Sequence, residues 1–116
     1  MAEVILSGRG ATLDVTGTAQ VVRVPSAKGG VIVNKGDPSA TAEERADPAY
    51  VAPVIFVQWN ANAVAANYTA GQDHIWIDEG DVADVPRGVD AFALITNYAT
   101  RAVKALYNET KPLASR

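Results

Sequence analysis

Hydrophobic residues in this chain come in short bursts separated by turn chemistry, and the spacing inside the bursts is that of strands. Ala11-Thr12-Leu13-Asp14-Val15-Thr16 places Leu13 and Val15 on one face and Thr12, Asp14 and Thr16 on the other, the period of a half-buried strand. Gln20-Val21-Val22-Arg23-Val24 runs to Pro25, and Lys28-Gly29-Gly30 turns the chain into Gly30-Val31-Ile32-Val33-Asn34, a strand, turn, strand pattern in which the glycines suggest a hairpin turn. Three apolar runs follow: Val54-Ile55-Phe56-Val57-Gln58-Trp59, His74-Ile75-Trp76-Ile77 and Ala91-Phe92-Ala93-Leu94-Ile95-Thr96. Asp78-Glu79-Gly80-Asp81 and Pro86-Arg87-Gly88 punctuate them, with the alternating strand Asp81-Val82-Ala83-Asp84-Val85 between. The pattern predicts an all-β fold, a single antiparallel β-sandwich or jelly-roll-like barrel.

Three stretches depart from the plain strand pattern. Residues 36 to 53 contain three prolines and few large apolar side chains, and so read as one long Pro-rich loop; Gly36 is suited to positive φ, and Thr41 and Glu44 have capping-box spacing for a helical turn over 42 to 46. Such a loop is either a tolerated surface insertion or an arm that orders against a neighbouring subunit. In residues 91 to 107, Phe92, Ile95, Ala99, Ala102, Val103 and Leu106 fall at helical spacing, but Thr96-Asn97-Tyr98 is turn-prone and residues 101 to 107 also alternate. Two strands joined at Asn97 are the favoured reading. Residues 61 to 66 fit a weak strand or a helical turn, and residues 108 to 116 read as a flexible tail or a docking strand.

With 116 residues, 48% hydrophobic and 20% charged, the chain fits one folded domain spanning residues 1 to 116. A net charge of -3, with lysine and arginine scattered, argues against nucleic-acid binding. The absence of cysteine excludes disulfides and thiolate chemistry. No apolar stretch is long enough to span a bilayer, and residues 1 to 8 lack the basic flank and apolar length of a signal peptide, so no membrane role and synthesis in the cytoplasm are expected.

Candidate chemistry is sparse. His74, the single histidine, lies beside Asp73, but Ser7, Ser26, Ser39 and Ser115 lack a nucleophile-elbow context, and the simpler reading of His74 is a strand-edge residue. Asp73, Asp78, Glu79, Asp81 and Asp84 offer oxygen ligands without EF-hand spacing, and a turn accounts for them. Gly8-Arg9-Gly10 and Lys28-Gly29-Gly30 match no phosphate-loop motif and read as hairpin turns. Trp59, Trp76, Tyr68 and Tyr50 suit a sugar-stacking platform, although Trp59 and Trp76 equally suit core or interface anchors. No catalytic residue, cofactor or metal is assigned.

The order of these elements has a likeness of its own. An alternating Thr-rich first strand is followed by Val31-Ile32-Val33-Asn34-Lys35-Gly36, Val54-Ile55-Phe56-Val57-Gln58-Trp59 and Gly71-Gln72-Asp73-His74-Ile75-Trp76-Ile77. The chain then continues through Pro86-Arg87-Gly88-Val89-Asp90 and Phe92-Ala93-Leu94-Ile95-Thr96 to a last alternating strand. Over residues 11 to 107 this plan resembles the small all-β virion structural proteins of tailed bacteriophages. The Pro-rich insertion departs from the more compact plan. The resemblance implies a non-enzymatic capsid decoration or cement protein, a homo-oligomer with a trimer favoured, located in the virion and bound to the major capsid protein or other virion proteins. The contact residues expected on that reading are Glu43, Glu44, Arg45, Tyr50, Trp59, Trp76 and Tyr107. A tail, collar or adaptor component, or a carbohydrate-binding or host-recognition module, is the alternative.

Overall fold

The computed structural model describes residues 2–6, 10–25, 27–59, 75–98 and 101–109. Among them, nine strands form a two-sheet sandwich with one short helix. The first sheet has the order β1 (Ala2–Ile5), β3 (Gln20–Arg23), β8 (Ala91–Thr96), β5 (Ile55–Gln58), β6 (Ile75–Ile77). The second has the order β2 (Gly10–Val15), β9 (Val103–Asn108), β4 (Gly30–Gly36), β7 (Val82–Val85). All pairings are antiparallel except that of β1 with β3. The expected all-β sandwich is therefore the observed one.

Alternating burial along β2, β4 and β9 builds one side of the core. Leu13 and Val15 of β2, Ile32 of β4, and Val103, Ala105 and Tyr107 of β9 face Val22, Ile55, Val57, Ile77, Phe92 and Leu94 of the other sheet. At its centre the Phe92 ring meets Trp59 nearly edge-on at 5.9 Å and Tyr107 tilted at 5.8 Å. The Tyr107 hydroxyl donates to the Gly29 carbonyl at 3.3 Å, so this large side chain brings its polar end to a partner. Burial pushes its phenol above the ordinary value.

Every residue of β8 is buried, which explains why its sequence does not alternate. Phe92 and Leu94 belong to the main core, while Ala93 and Ile95 join Ala19 and Phe56 in a second cluster with Val54 packed against it. The helical spacing in residues 91 to 107 is thus the signature of a strand buried on both faces, followed by one buried on alternate residues. In β9 it is Val103, Ala105 and Tyr107 that are buried, not the Leu106 of the helical stripe.

The connections differ from the hairpins that the sequence suggests. β3 and β4 lie in different sheets, as do β1 and β2, and β8 and β9, so the Gly29 turn and the Asn97 turn carry the chain across the sandwich. Ala27 at φ 50° and Gly29 at φ 84° turn the backbone out of the first sheet, and a Cβ on Gly29 would lie 3.0 Å from the Val85 carbonyl. Crossing lets Val22 and Ile32 enter one core from opposite sides, which a tight hairpin would prevent. β1 was not anticipated; its apolar segment is too short to show a period. Residues 61 to 66, Gly8 and Arg9, and the tail from residue 110 lie outside the described residues.

Replacing Phe92 by alanine removes the ring that both Trp59 and Tyr107 contact. A loss of about 3–5 kcal/mol of unfolding free energy is expected, read as a lower urea midpoint.

Candidate functional site

The residues joining β4 to β5 are fastened to the sandwich by polar side chains. At the end of β4 the inward alternation that begins with Gly30 and Ile32 reaches Asn34, a polar residue with 0% exposure. Its Nδ2 donates to the carbonyls of Pro53 and Ile77, both at 2.9 Å, and its Oδ1 accepts from the Gly36 amide at 2.9 Å. The amide therefore fixes where the connecting segment leaves and where it returns. Gly36 adopts φ 81°, as its position suggested, and a Cβ there would stand 2.4 Å from Glu79 Oε2.

Asp37 follows, also buried. Its Oδ1 accepts from the Ser39 amide at 2.8 Å and the Ser39 hydroxyl at 2.6 Å, and its Oδ2 accepts from Arg101 at 3.0 Å. The Ser39 hydroxyl above all, then the Ser39 amide and Arg101, hold the carboxyl below its ordinary value against the opposing effect of burial. The capping box is present: the Thr41 hydroxyl accepts from the Glu44 amide, the Glu44 carboxylate accepts from the Thr41 amide, and helix α1 (Ala42–Ala46) follows. The Thr41 amide first, then Arg101 at 3.1 Å, lower the Glu44 carboxyl as well. Arg101 thus joins two carboxylates of the segment to the start of β9.

A second arginine closes the arrangement from the helix side. Arg45 Nη1 donates to Glu79 at 2.7 Å and Nη2 to the Asp37 carbonyl at 3.1 Å, with its guanidinium 5.8 Å from the centre of the Tyr50 ring. The Tyr50 hydroxyl lies 3.4 Å from the same Glu79 oxygen. Toward β5, Asn97 accepts from the Val54 amide at 2.9 Å and donates to the Ala52 carbonyl at 3.3 Å, while the Tyr98 hydroxyl donates to the Val51 carbonyl. Burial is the main reason the Tyr98 phenol rises to about 12, with the Tyr50 hydroxyl contributing next.

Of the contact residues expected from sequence, Glu44, Arg45 and Tyr50 meet in this network, and Glu43 is exposed on the helix. Trp59 is half-buried against the core. Trp76 is 56% exposed and stands edge-on to Phe56, with ring centroids 5.1 Å apart and planes at 88°. Tyr107 requires correction: it is 2% exposed within the sandwich, because β9 turns it inward with Val103 and Ala105, and it offers no surface to a partner. Asn34, Asp37, Glu79, Asn97 and Arg101 were not anticipated as members of this network. One of them was signalled, since Asn34 occupies a core position of an otherwise apolar alternation.

The acidic stretch forms the expected turn. Gly80 takes φ 85° and the Asp81 amide donates to the Asp78 carbonyl at 2.9 Å. Among the described residues no three acidic or histidine side chains are grouped to hold a metal. Asp73, His74 and Tyr68 lie outside the described residues, as do Ser7, Ser26 and Ser115.

Comparison of the chain with protein-family models, with curated proteins and with solved structures finds no match. What the geometry defines is a class, an all-β sandwich with a long connection bound to one end.

Arg101→Ala leaves the buried Asp37 carboxylate with Ser39 alone. A loss of stability is expected at neutral pH, tempered by solvent screening because Asp37 is buried while Arg101 is near half-exposed. Both carboxyls are lowered in the folded state, so their contribution is present above the ordinary carboxyl range of about pH 4 and is lost as pH falls through the folded values. Denaturation curves taken at descending pH should show the gap between the native chain and Arg101→Ala closing in acid.

Proposed function

We propose that the chain is a non-enzymatic virion structural protein of the tailed-phage kind, a decoration or cement subunit that binds the outer capsid shell and acts through preformed surface. The observation that carries this reading is the bound 37–53 segment. Asp37, Glu44, Arg45, Glu79 and Arg101 are engaged with one another, so the charged groups gathered at this end hold a surface in shape. Outward from that network the segment presents Glu43, Asp47 and the 63%-exposed Val51. A contact surface fixed before binding loses less conformational entropy on docking than an arm that orders only on contact. This favours a rigid adhesive subunit over the ordering arm that the Pro-rich composition suggested.

Trp76 supports a second reading. An indole this exposed, braced by Phe56, is the feature a carbohydrate-binding or host-recognition module would use for stacking.

Mass spectrometry of purified particles made from the genome that encodes the chain tests the first reading. The expected result is the chain in copy number comparable to the major shell protein. Far fewer copies would indicate a tail, collar or adaptor position, and its absence from particles would overturn a virion role. For the second reading, tryptophan fluorescence titrated with oligosaccharides should respond in the native chain and not in Trp76→Ala.

A further inference from the structure

We propose that two copies of the chain pair through the open edge of β7, joining their four-stranded sheets across a two-fold axis. β7 is hydrogen-bonded to β4 on one side, and among the described residues no strand lies on its other side. The direction of its backbone groups follows from the ladder. The Asn34 amide donates to the Asp81 carbonyl at 3.0 Å, and the register places Ile32 opposite Ala83. Because hydrogen-bonded pairs recur every second residue, the amide and carbonyl of Ala83 point toward β4, and those of Val82 and Asp84 point to the open edge. Both residues are exposed, Val82 at 55%.

The turns that flank this strand carry opposite charge, while Asp84 lies exposed within it. At its start lie exposed Asp78 and Asp81; Glu79 between them is held by Arg45. At its end lies Arg87, in a turn tied to the β3–β4 connection by the Gly88 amide donating to the Ala27 carbonyl at 2.9 Å, which brings exposed Lys28 into the same region. Antiparallel pairing of two β7 strands sets the acidic end of each copy beside the basic end of the other, twice over. Such self-complementarity is what an isologous contact requires, and parallel pairing would set like charges together.

The register is also determined. Centring the axis on Ala83 places Val82 opposite Asp84 of the second copy, where the outward amides and carbonyls exchange four hydrogen bonds and each sheet keeps its inner and outer faces. Shifting by two residues in one direction sets Asp84 against Asp84 and Val82 against Pro86, which has no amide hydrogen to donate. Shifting the other way sets Asp84 against Gly80, whose amide is already given to the Asn34 carbonyl. The pairing is two-fold, whereas the sequence resemblance implies a trimer. It rests on the edge alone, so its failure would leave the virion reading standing.

Cross-linking tests the register, since the chain contains no cysteine. Val82→Cys and Asp84→Cys alter exposed outward positions that do not contribute to the core. On mild oxidation, a mixture of the two variants should yield a disulfide-linked dimer. Either variant alone should yield little, because identical positions stand diagonally and beyond the ~7 Å Cα separation that a disulfide bridges. Sedimentation over a concentration series should show a monomer–dimer equilibrium, weakened about tenfold by Arg87→Glu and recovered when Asp78→Lys is added to the same chain. Monomer at all concentrations, cross-linking by Val82→Cys alone, or association indifferent to Arg87→Glu would each overturn the proposal.

Discussion

The carboxamide of Asn34 is the joint on which the rest of the structure depends. It belongs to β4 in the second sheet, yet its two donated hydrogen bonds go to Pro53, just before β5, and to Ile77, the last residue of β6, both in the region of the first sheet. One buried side chain therefore ties the two layers together where hydrophobic contact alone would leave their relative position loosely set. Burying an amide without partners costs about 2–7 kcal/mol, whereas a satisfied one is close to neutral or mildly favourable. The specificity lies in that difference, because any slip of β4 against β5 or β6 leaves an amide and two carbonyls unpartnered. Gly36 completes the joint by admitting the Glu79 carboxylate where any side chain would stand.

From this joint the 37–53 segment inherits its place. Its two ends are fixed by Asn34 and Asn97, and its middle by two arginines that reach it from different sides, Arg45 from within and Arg101 from the start of β9. Neither arginine pair is strong by itself, since each guanidinium is partly open to water. Their effect is collective: Asp37 is at once a buried carboxylate needing a counter-charge, the acceptor for Ser39, and a carbonyl for Arg45. Releasing the segment would expose all of these demands together, and so a stretch with few large apolar side chains is held without a core of its own.

How much of this was legible follows from which interactions are local. Period-two alternation in β2 and β9 reports directly on burial, and Thr41 with Glu44 forms a cap across three residues, so both were readable. The pairing of strands was not, because the glycine at 29 marks a turn but not whether that turn leads beside its strand or across to the other sheet. The charged network was illegible for a stronger reason. Arg101 lies 64 residues from Asp37 and Arg45 lies 34 residues from Glu79, and nothing in the neighbourhood of either arginine indicates the carboxylate it meets. Tyr107 shows the converse error: an aromatic at the end of a terminal strand suggests a contact surface, but the parity of β9 turns it into the core.

Where the polar residues are engaged determines where recognition can occur. The charged groups with the most elaborate surroundings serve to hold the 37–53 segment, and the buried Asn34 amide serves to join the sheets. What faces outward among the described residues is simpler: the Trp76 indole edge-on to Phe56, the apolar Ile5, Val51 and Val82, and the edges of two sheets. Open edges invite pairing with other chains, and proteins commonly blunt them with charge, proline or shortness. Here β2 carries the Asp14–Lys104 pair beside its edge and β6 is three residues long, while β7 has charges at its ends and Pro86 immediately after it. Those devices limit indiscriminate pairing while leaving Val82 and Asp84 open, so the same features that protect the sandwich from aggregation also select the geometry in which another chain can approach it.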